Sequence, residues 1–194
     1  MHLPLAEKLA ELGQARDKAW LSQDTVATVQ QDQLLQRWVH KHGLKTVQKV
    51  CTCIWREGQN GPELLAFEHP SAGHQIVKGT LEPGEDLGLA ALRELQEEAG
   101  LQRETPGTYL GLIHHGAFGG IESGGLFEHQ IWHLFAQPAT GDEPESWSHI
   151  ATGSIDEEGL EFKFFWQPLN LPAPGFAPVF ERVMQLLKHH LQGL

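Results

Sequence analysis

Glutamates at 94, 97 and 98 stand three and four residues apart in a run whose composition suits a helix. An α-helix advances about 100° per residue, so the three carboxylates fall within about one third of its circumference, one turn above another. Carboxylates held that close repel one another unless a cation lies among them. An all-oxygen donor set suits a hard ion such as Mg²⁺ or Mn²⁺, which keeps several waters and binds substrate phosphates beside one or two carboxylates. The spacing therefore points to metal-assisted chemistry on phosphate.

The neighbouring residues are those needed to position such a helix. Ala91, Leu95 and Ala99 recur at i, i+4 and i+8 and, with Leu92, make an apolar stripe beside the acidic one. Pro83, Gly84, Glu85 and Asp86 supply turn chemistry, acidic charge and an N-cap, and Gly100 sits where a left-handed C-cap belongs. Arg93 is expected to pair with Glu85 across the loop. That pairing would fix the turn that brings the Gly79 carbonyl towards the metal.

The run from Gly79 to Leu101 reads G-x5-E-x7-R-E-U-x-E-E-x-G-U, with U a bulky apolar residue. Gly79, Glu85, Arg93, Glu94, Leu95, Glu97, Glu98, Gly100 and Leu101 are all in register, and the run resembles the Nudix box of the Nudix hydrolase family. The resemblance implies an α/β/α sandwich around a mixed sheet, in the α/β (α+β) class, over residues 44–194. Residues 1–43 lie outside it, as an N-terminal helical extension. It also implies divalent-metal-dependent hydrolysis of a diphosphate linkage, in a nucleotide or a nucleoside diphosphate joined to another group. Water attacks one phosphorus, and the protein's task is positioning and charge neutralisation.

By the same resemblance, Glu97 and Glu98 match the metal-binding pair, Glu98 being the more essential. Glu94 matches a residue that serves as ligand or general base, and Gly79 contributes its carbonyl. In some members the base comes from a later loop, which makes Glu122 and Glu157, within the acidic group 156–158, candidate bases or extra ligands. Lys78 precedes the box, and Lys-Gly here is similar to members acting on dinucleoside polyphosphates or diphosphoinositol phosphates; a phosphate contact is expected of it. The tyrosine that accompanies many dinucleoside polyphosphate hydrolases in the region where this chain has the glycine-rich stretch 116–125 is missing, and Phe118 is the nearest aromatic there and a candidate substrate contact. The upstream array of coenzyme A hydrolases and the downstream proline of many ADP-ribose hydrolases are also absent. The rival reading is a catalytically silent Nudix-fold ligand sensor or interaction module, against which the intact glutamate triad weighs.

Composition agrees with an acidic, small-molecule-handling domain. Lys plus Arg number 14 against 25 for Asp plus Glu, a formal charge of −11. No cationic excess exists to release counterions, so neither nucleic acid nor an anionic membrane is an expected partner. No apolar run approaches the roughly 20 residues of a membrane span. The first residues are amphipathic and acidic rather than a signal peptide, which makes the cytoplasm the expected compartment. Cys51 and Cys53 share one face of a predicted strand and are expected as buried free thiols.

Helical periodicity covers residues 4–42 in two pieces, interrupted at Ser22 to Asp24 and stopped by Gly43. This arm is expected to pack on the chain's own core or to form a homodimer. Strands are expected at 46–56, 63–68, 74–77, 109–115, 128–136 and 162–166, with a closing amphipathic helix over 176–191. The glycine-rich stretch 116–125 and the segment 137–158 read as loops. The paired histidines 114/115 and 129/133 lack chelating spacing, and a structural role is expected for them. His69 and His74 flank a turn at the mouth of the predicted site. Phe118 and Trp147, read as loop aromatics, are stacking candidates.

Overall fold

The computed structural model describes residues 3–119 and 124–193. The elements run α1 (Leu3–Leu21), α2 (Thr25–Lys41), β1 (Thr46–Gly58), β2 (Gly61–His69), β3 (Gly73–Gln75), β4 (Lys78–Thr80), α3 (Leu87–Ala99), β5 (Thr108–Phe118), β6 (Phe127–Pro138), β7 (Ser146–Ile150), β8 (Glu161–Pro168) and α4 (Pro178–Gln192). The strands form a mixed sheet in the order β5-β6-β1-β2-β8-β7, with β3 on β2 and β4 on β1. Strands β1 and β2 are an antiparallel hairpin closed by Gly58 and Gly61. Strand β8 pairs antiparallel with β2, Phe67 opposite Phe164, and β7 adds to β8 with Trp147 opposite Phe164. No described helix is long and apolar enough to cross a membrane.

The chain divides into two compact units, Met1–Lys49 with Leu112–Trp132, and Val50–Gly111 with His133–Leu194. In the first, α1 and α2 form a helical hairpin. Asp24 caps α2 by accepting from Ala27 N at 2.9 Å, which supports the helix by about 1 kcal/mol. Leu9, Leu12, Leu35 and Val39 bury together with Phe127. Arg16 Nη1 donates to the Leu112 carbonyl at 2.6 Å, so the arm packs on strand residues of its own chain.

The second unit is built around α3. Leu95 and Ala99 join Ile54, Leu65, Phe67, Val77, Phe162 and Phe164 in one buried cluster, and Phe67 stacks on Phe162 at 4.3 Å. Ala90 and Ala91 pack with Val50 and Phe135 in another. These small residues allow the helix to lie close to its neighbours, and Thr52 Oγ1 reaches the Ala91 carbonyl at 3.3 Å. Burying Leu95 contributes a few kcal/mol, the usual scale for a core leucine. Helix α4 buries Val179, Phe180, Val183, Met184, Leu186 and Leu187, the stripe expected of an amphipathic helix. Cys51 and Cys53 are free and fully buried; hydrogen bonding between the two and burial push the Cys51 thiol up.

Four readings of the sequence need correction. The glycine-rich stretch 116–125 is not loop from its start, because β5 continues to Phe118, which ends a strand rather than standing on a loop. The segment 137–158 contains β7, an edge strand in which only Trp147 and His149 turn inward; two half-buried residues among polar ones leave no apolar signal. Trp147 is consequently not a loop platform, because it stacks on Phe164 at 4.7 Å and donates Nε1–H to the Ala99 carbonyl at 3.2 Å. The expected strand 74–77 is two short strands, β3 and β4, separated at Ile76 and Val77. The chain changes partner there, from β2 to β1, and Val77 O accepts from Thr52 N at 3.0 Å.

Candidate active site

Helix α3 is held at both ends by the residues expected to do so. Asp86 is its N-cap, with Oδ1 accepting from Gly88 N at 2.8 Å and Leu89 N at 3.2 Å. Gly100 closes it in the left-handed region at φ 71°, a conformation that costs glycine little. Glu85 precedes the helix and serves the loop instead. It accepts from Arg93 Nε at 2.8 Å and Nη2 at 2.9 Å, a forked pair, and from the backbone of Glu82 at 3.1 Å.

Arg93 is the hub of this site. Besides Glu85 it donates to Glu94 at 2.8 Å, to Glu97 at 2.9 Å and to the Thr80 carbonyl at 3.1 Å. Its guanidinium is held above its usual pKa chiefly by the hydrogen bonds to Glu85, and the Glu85 carboxyl is held below the usual range chiefly by Arg93. One side chain thereby fixes the loop 80–85 to the helix. The Thr80 contact extends that hold back towards Gly79.

Glu94 and Glu98 are buried, at 7% and 2% exposure, whereas Glu97 is half-buried. Glu98 Oε2 accepts from Lys78 N at 3.1 Å, while Oε1 is buried with no hydrogen-bond partner. Burial pushes the Glu98 carboxyl well above the usual range, Glu157 and Glu94 raising it further and Lys78 opposing them. Lys78 and Glu157 are thus within electrostatic reach of Glu98, and Lys78 Nζ lies 4.0 Å from Glu157 Oε1. A Cβ on Gly79 would collide with the Glu94 carboxylate, so only glycine lets that carboxylate lie over the loop backbone. Among the described residues no three His, Cys, Asp or Glu side chains stand close enough to enclose an ion. Arg93 Nη1 draws on both Glu94 and Glu97.

Beside Arg93 and Glu97 opens a cleft of about 480 Å³, lined also by Gln96, Gln102, His149 and Thr152. Thr152 N donates to the Glu97 carbonyl at 3.1 Å, which ties the segment after β7 to the end of α3.

The structure thus brings Lys78, Gly79, Glu85, Arg93, Glu94, Glu97, Glu98 and Glu157 into one unit. Phe118 lies in the other unit, with its ring edge-on to Phe127 at 5.5 Å. Glu122 lies outside the described residues. His69 comes within the electrostatic reach of both Lys78 and Glu157, and burial lowers its pKa. Its partner across the turn, His74, packs instead against the rings of Phe165 and Phe176. The sequence flags both histidines alike; only the folded turn separates them.

The model of the NUDIX domain family matches residues 46–186. No curated protein matches the chain. Among solved structures, the chain is similar to the MutT protein of Methanosarcina mazei Go1, with 18% identity and a TM-score of 0.51 over 77% of this chain and 96% of that one. It also aligns with the Ap4A hydrolase of C. elegans, at 21% identity and a TM-score of 0.45 over 76% and 98% of the two chains. The NUDIX hydrolase of Nitrosomonas europaea gives 21% identity and a TM-score of 0.49 over 77% and 90%. With the family domain matched over residues 46–186, more than half of the chain, and the box complete from Gly79 to Leu101, this chain belongs to the Nudix family of hydrolases.

Proposed function

We propose that the protein is a divalent-metal-dependent hydrolase of a diphosphate linkage, in a nucleotide or in a nucleoside diphosphate joined to another group. The observation that carries the reading is Glu98: a carboxylate 2% exposed, with one oxygen fixed by Lys78 N and the other buried without a partner. A buried unpaired acceptor is costly unless something completes it, and a hard cation does so. The donor set fits Mg²⁺ or Mn²⁺. Glu98 would hold it through its unpartnered oxygen, and Glu94 and Glu97 would join by leaving Arg93 Nη1, to which both are hydrogen-bonded, with the Gly79 carbonyl as a further donor. When bound, such an ion neutralises phosphate oxygens and lowers the pKa of a coordinated water.

The chain's own residues have distinct tasks in this reading. Arg93 keeps the loop 80–85 and the carboxylates in a fixed arrangement, which limits reorganisation during reaction. Lys78 offers a cation to a substrate phosphate and is itself balanced by Glu157. Glu157, facing Glu98, is a candidate to take the proton from the attacking water or to serve as a further ligand; Glu122 remains a second candidate. The cytoplasm is the compartment proposed, and Val26, Val29 and Leu34, exposed on α2, are proposed as a homodimer contact.

The test is a panel of nucleoside di- and triphosphates, dinucleoside polyphosphates, nucleotide sugars and ADP-ribose, assayed for product with Mg²⁺, with Mn²⁺ and with chelator. We expect metal-dependent turnover of at least one class by the wild type and a loss of about 100-fold or more in Glu98→Gln. Equal rates for the two proteins across the panel would return the site to the silent sensor reading.

A further inference from the structure

The turn after β2 fixes the tautomer of His69. Ser71 N and Ala72 N both point at His69 Nδ1, each at 3.1 Å. Both are donors, so Nδ1 must be the acceptor, and the ring hydrogen of the neutral imidazole is on Nε2. Protonating Nδ1 would set its N–H against two backbone N–H groups. The hairpin register supports the turn, with His69 opposite Gly73 in β3 and Gly73 at a positive φ of 74°.

The position of the ring follows from strand periodicity. Residues two apart on a strand share a face, so His69 is on the same face as Phe67, which packs with Leu95 and Ala99 of α3. The imidazole lies against Phe162, 5.2 Å between ring centroids, and carries on from that core to the edge where Lys78 and Glu157 act on it. Among the described residues no group accepts a hydrogen bond from Nε2, the turn contacts all being to Nδ1. The neutral imidazole therefore keeps an unused donor within the electrostatic reach of Lys78 and Glu157.

Resting on the function proposed above, we infer that His69 is a substrate-positioning residue, donating its Nε2–H to a phosphate oxygen of the bound nucleotide beside Lys78. The neutral tautomer suits that place, because a second cation next to Lys78 would repel it, whereas a neutral N–H adds a directed bond. A phosphate oxygen is the acceptor that suits this donor: Lys78 attracts an anion, Glu157 is already engaged with Lys78 at 4.0 Å, and one face of the imidazole lies against Phe162. His69 takes no proton and forms no bond to phosphorus. It fixes where the phosphate chain lies.

The experiment compares wild type, His69→Phe and His69→Gln. Phenylalanine keeps a ring over Phe162 and removes the donor; glutamine restores an N–H near the Nε2 position. With whichever substrates of the panel the wild type turns over, His69→Phe should raise KM about 10-fold or more, the scale of a hydrogen bond to a charged group, with kcat within about 2-fold. His69→Gln should recover most of the loss. The ¹⁵N spectrum of the wild-type imidazole should show an unprotonated Nδ1 and a protonated Nε2, the latter shifting when a turned-over nucleotide's non-hydrolysable methylene analogue is added with Mg²⁺. A KM unchanged in His69→Phe, a glutamine variant as impaired as phenylalanine, or a protonated Nδ1 would each overturn the assignment while leaving the hydrolase intact. Absence of turnover and of analogue binding in the wild type would instead overturn the hydrolase reading and this inference with it.

Discussion

His114 Nδ1 lies 2.9 Å from His129 Nε2, with the two imidazoles within 7° of parallel, joining adjacent strands inside the first unit. The chain of contacts continues at both ends: His114 Nε2 is 3.1 Å from Asp32 Oδ1, and His129 Nδ1 is 3.0 Å from Thr46 Oγ1. Asp32 also accepts from Arg16 Nε at 3.1 Å. One proton arrangement satisfies every link with both rings neutral. His114 donates to Asp32, His129 donates to His114, and Thr46 donates to His129.

That arrangement predicts a pH dependence of stability. Burial, with His114 adding to it, lowers the His129 pKa from 6.5 to about 4. The unfolded chain binds a proton at His129 below about pH 6.5, and the folded chain does not until about pH 4. Stability present above 6.5 is therefore lost progressively as pH falls through that window and levels off below it, by on the order of 3 kcal/mol. Urea midpoints at several pH values check this. His129→Gln should remove most of the slope between pH 6.5 and 4; identical slopes in variant and wild type would show that this histidine is not responsible.

Glu98→Gln should separate function from stability. It replaces a buried carboxylate having one unpartnered oxygen with a neutral amide, which removes the charge that burial, Glu157 and Glu94 all disfavour. The metal-free variant is expected to gain about 1 kcal/mol, roughly 2–4 °C in Tm for a domain of this size, while losing turnover. A lower Tm without metal would contradict the burial cost ascribed to the unpartnered Glu98 oxygen.

Arg93→Lys keeps the charge but not the fork. Lysine has no planar array to serve Glu85, Glu94, Glu97 and Thr80 together. We expect a kcat fall of about 100-fold and a stability loss of about 1–3 kcal/mol, with folding preserved by circular dichroism. Activity within a few-fold of wild type would show that positive charge alone suffices.

Gly79→Ala tests the close approach of loop and helix. The added methyl must displace the Glu94 carboxylate, so calorimetric affinity for Mn²⁺ should drop at least 10-fold. Unaltered Mn²⁺ binding would mean that Glu94 is not held over Gly79 in solution.

Charge placed on α2 probes the homodimer. Light scattering should give a dimer mass for the wild type and a monomer mass for Val26→Asp with Val29→Asp, both side chains being exposed. A wild-type monomer ends that proposal.

Much of the site is legible from residue order because it is local. Glu94, Glu97 and Glu98 share a helix, Asp86 and Gly100 cap it, and Arg93 reaches Glu85 eight residues away; helical periodicity and side-chain length fix these relations before any tertiary contact forms. The buried stripe of Leu95 and Ala99 follows from the same period. Sequence by itself thus determines the chemistry the helix offers and the family that uses it.

What the tertiary structure decides is whatever depends on chain pairing across long separations. Glu157 meets Lys78 only through the loop before β8. His114 finds His129 by strand register, not by spacing along one strand. Trp147 packs against the core because β7 pairs with β8, and His69 acquires its tautomer from two backbone N–H groups in a turn. None of these leaves a periodic mark in the sequence, because each partner is supplied by backbone direction and sheet order, which one-dimensional spacing does not encode.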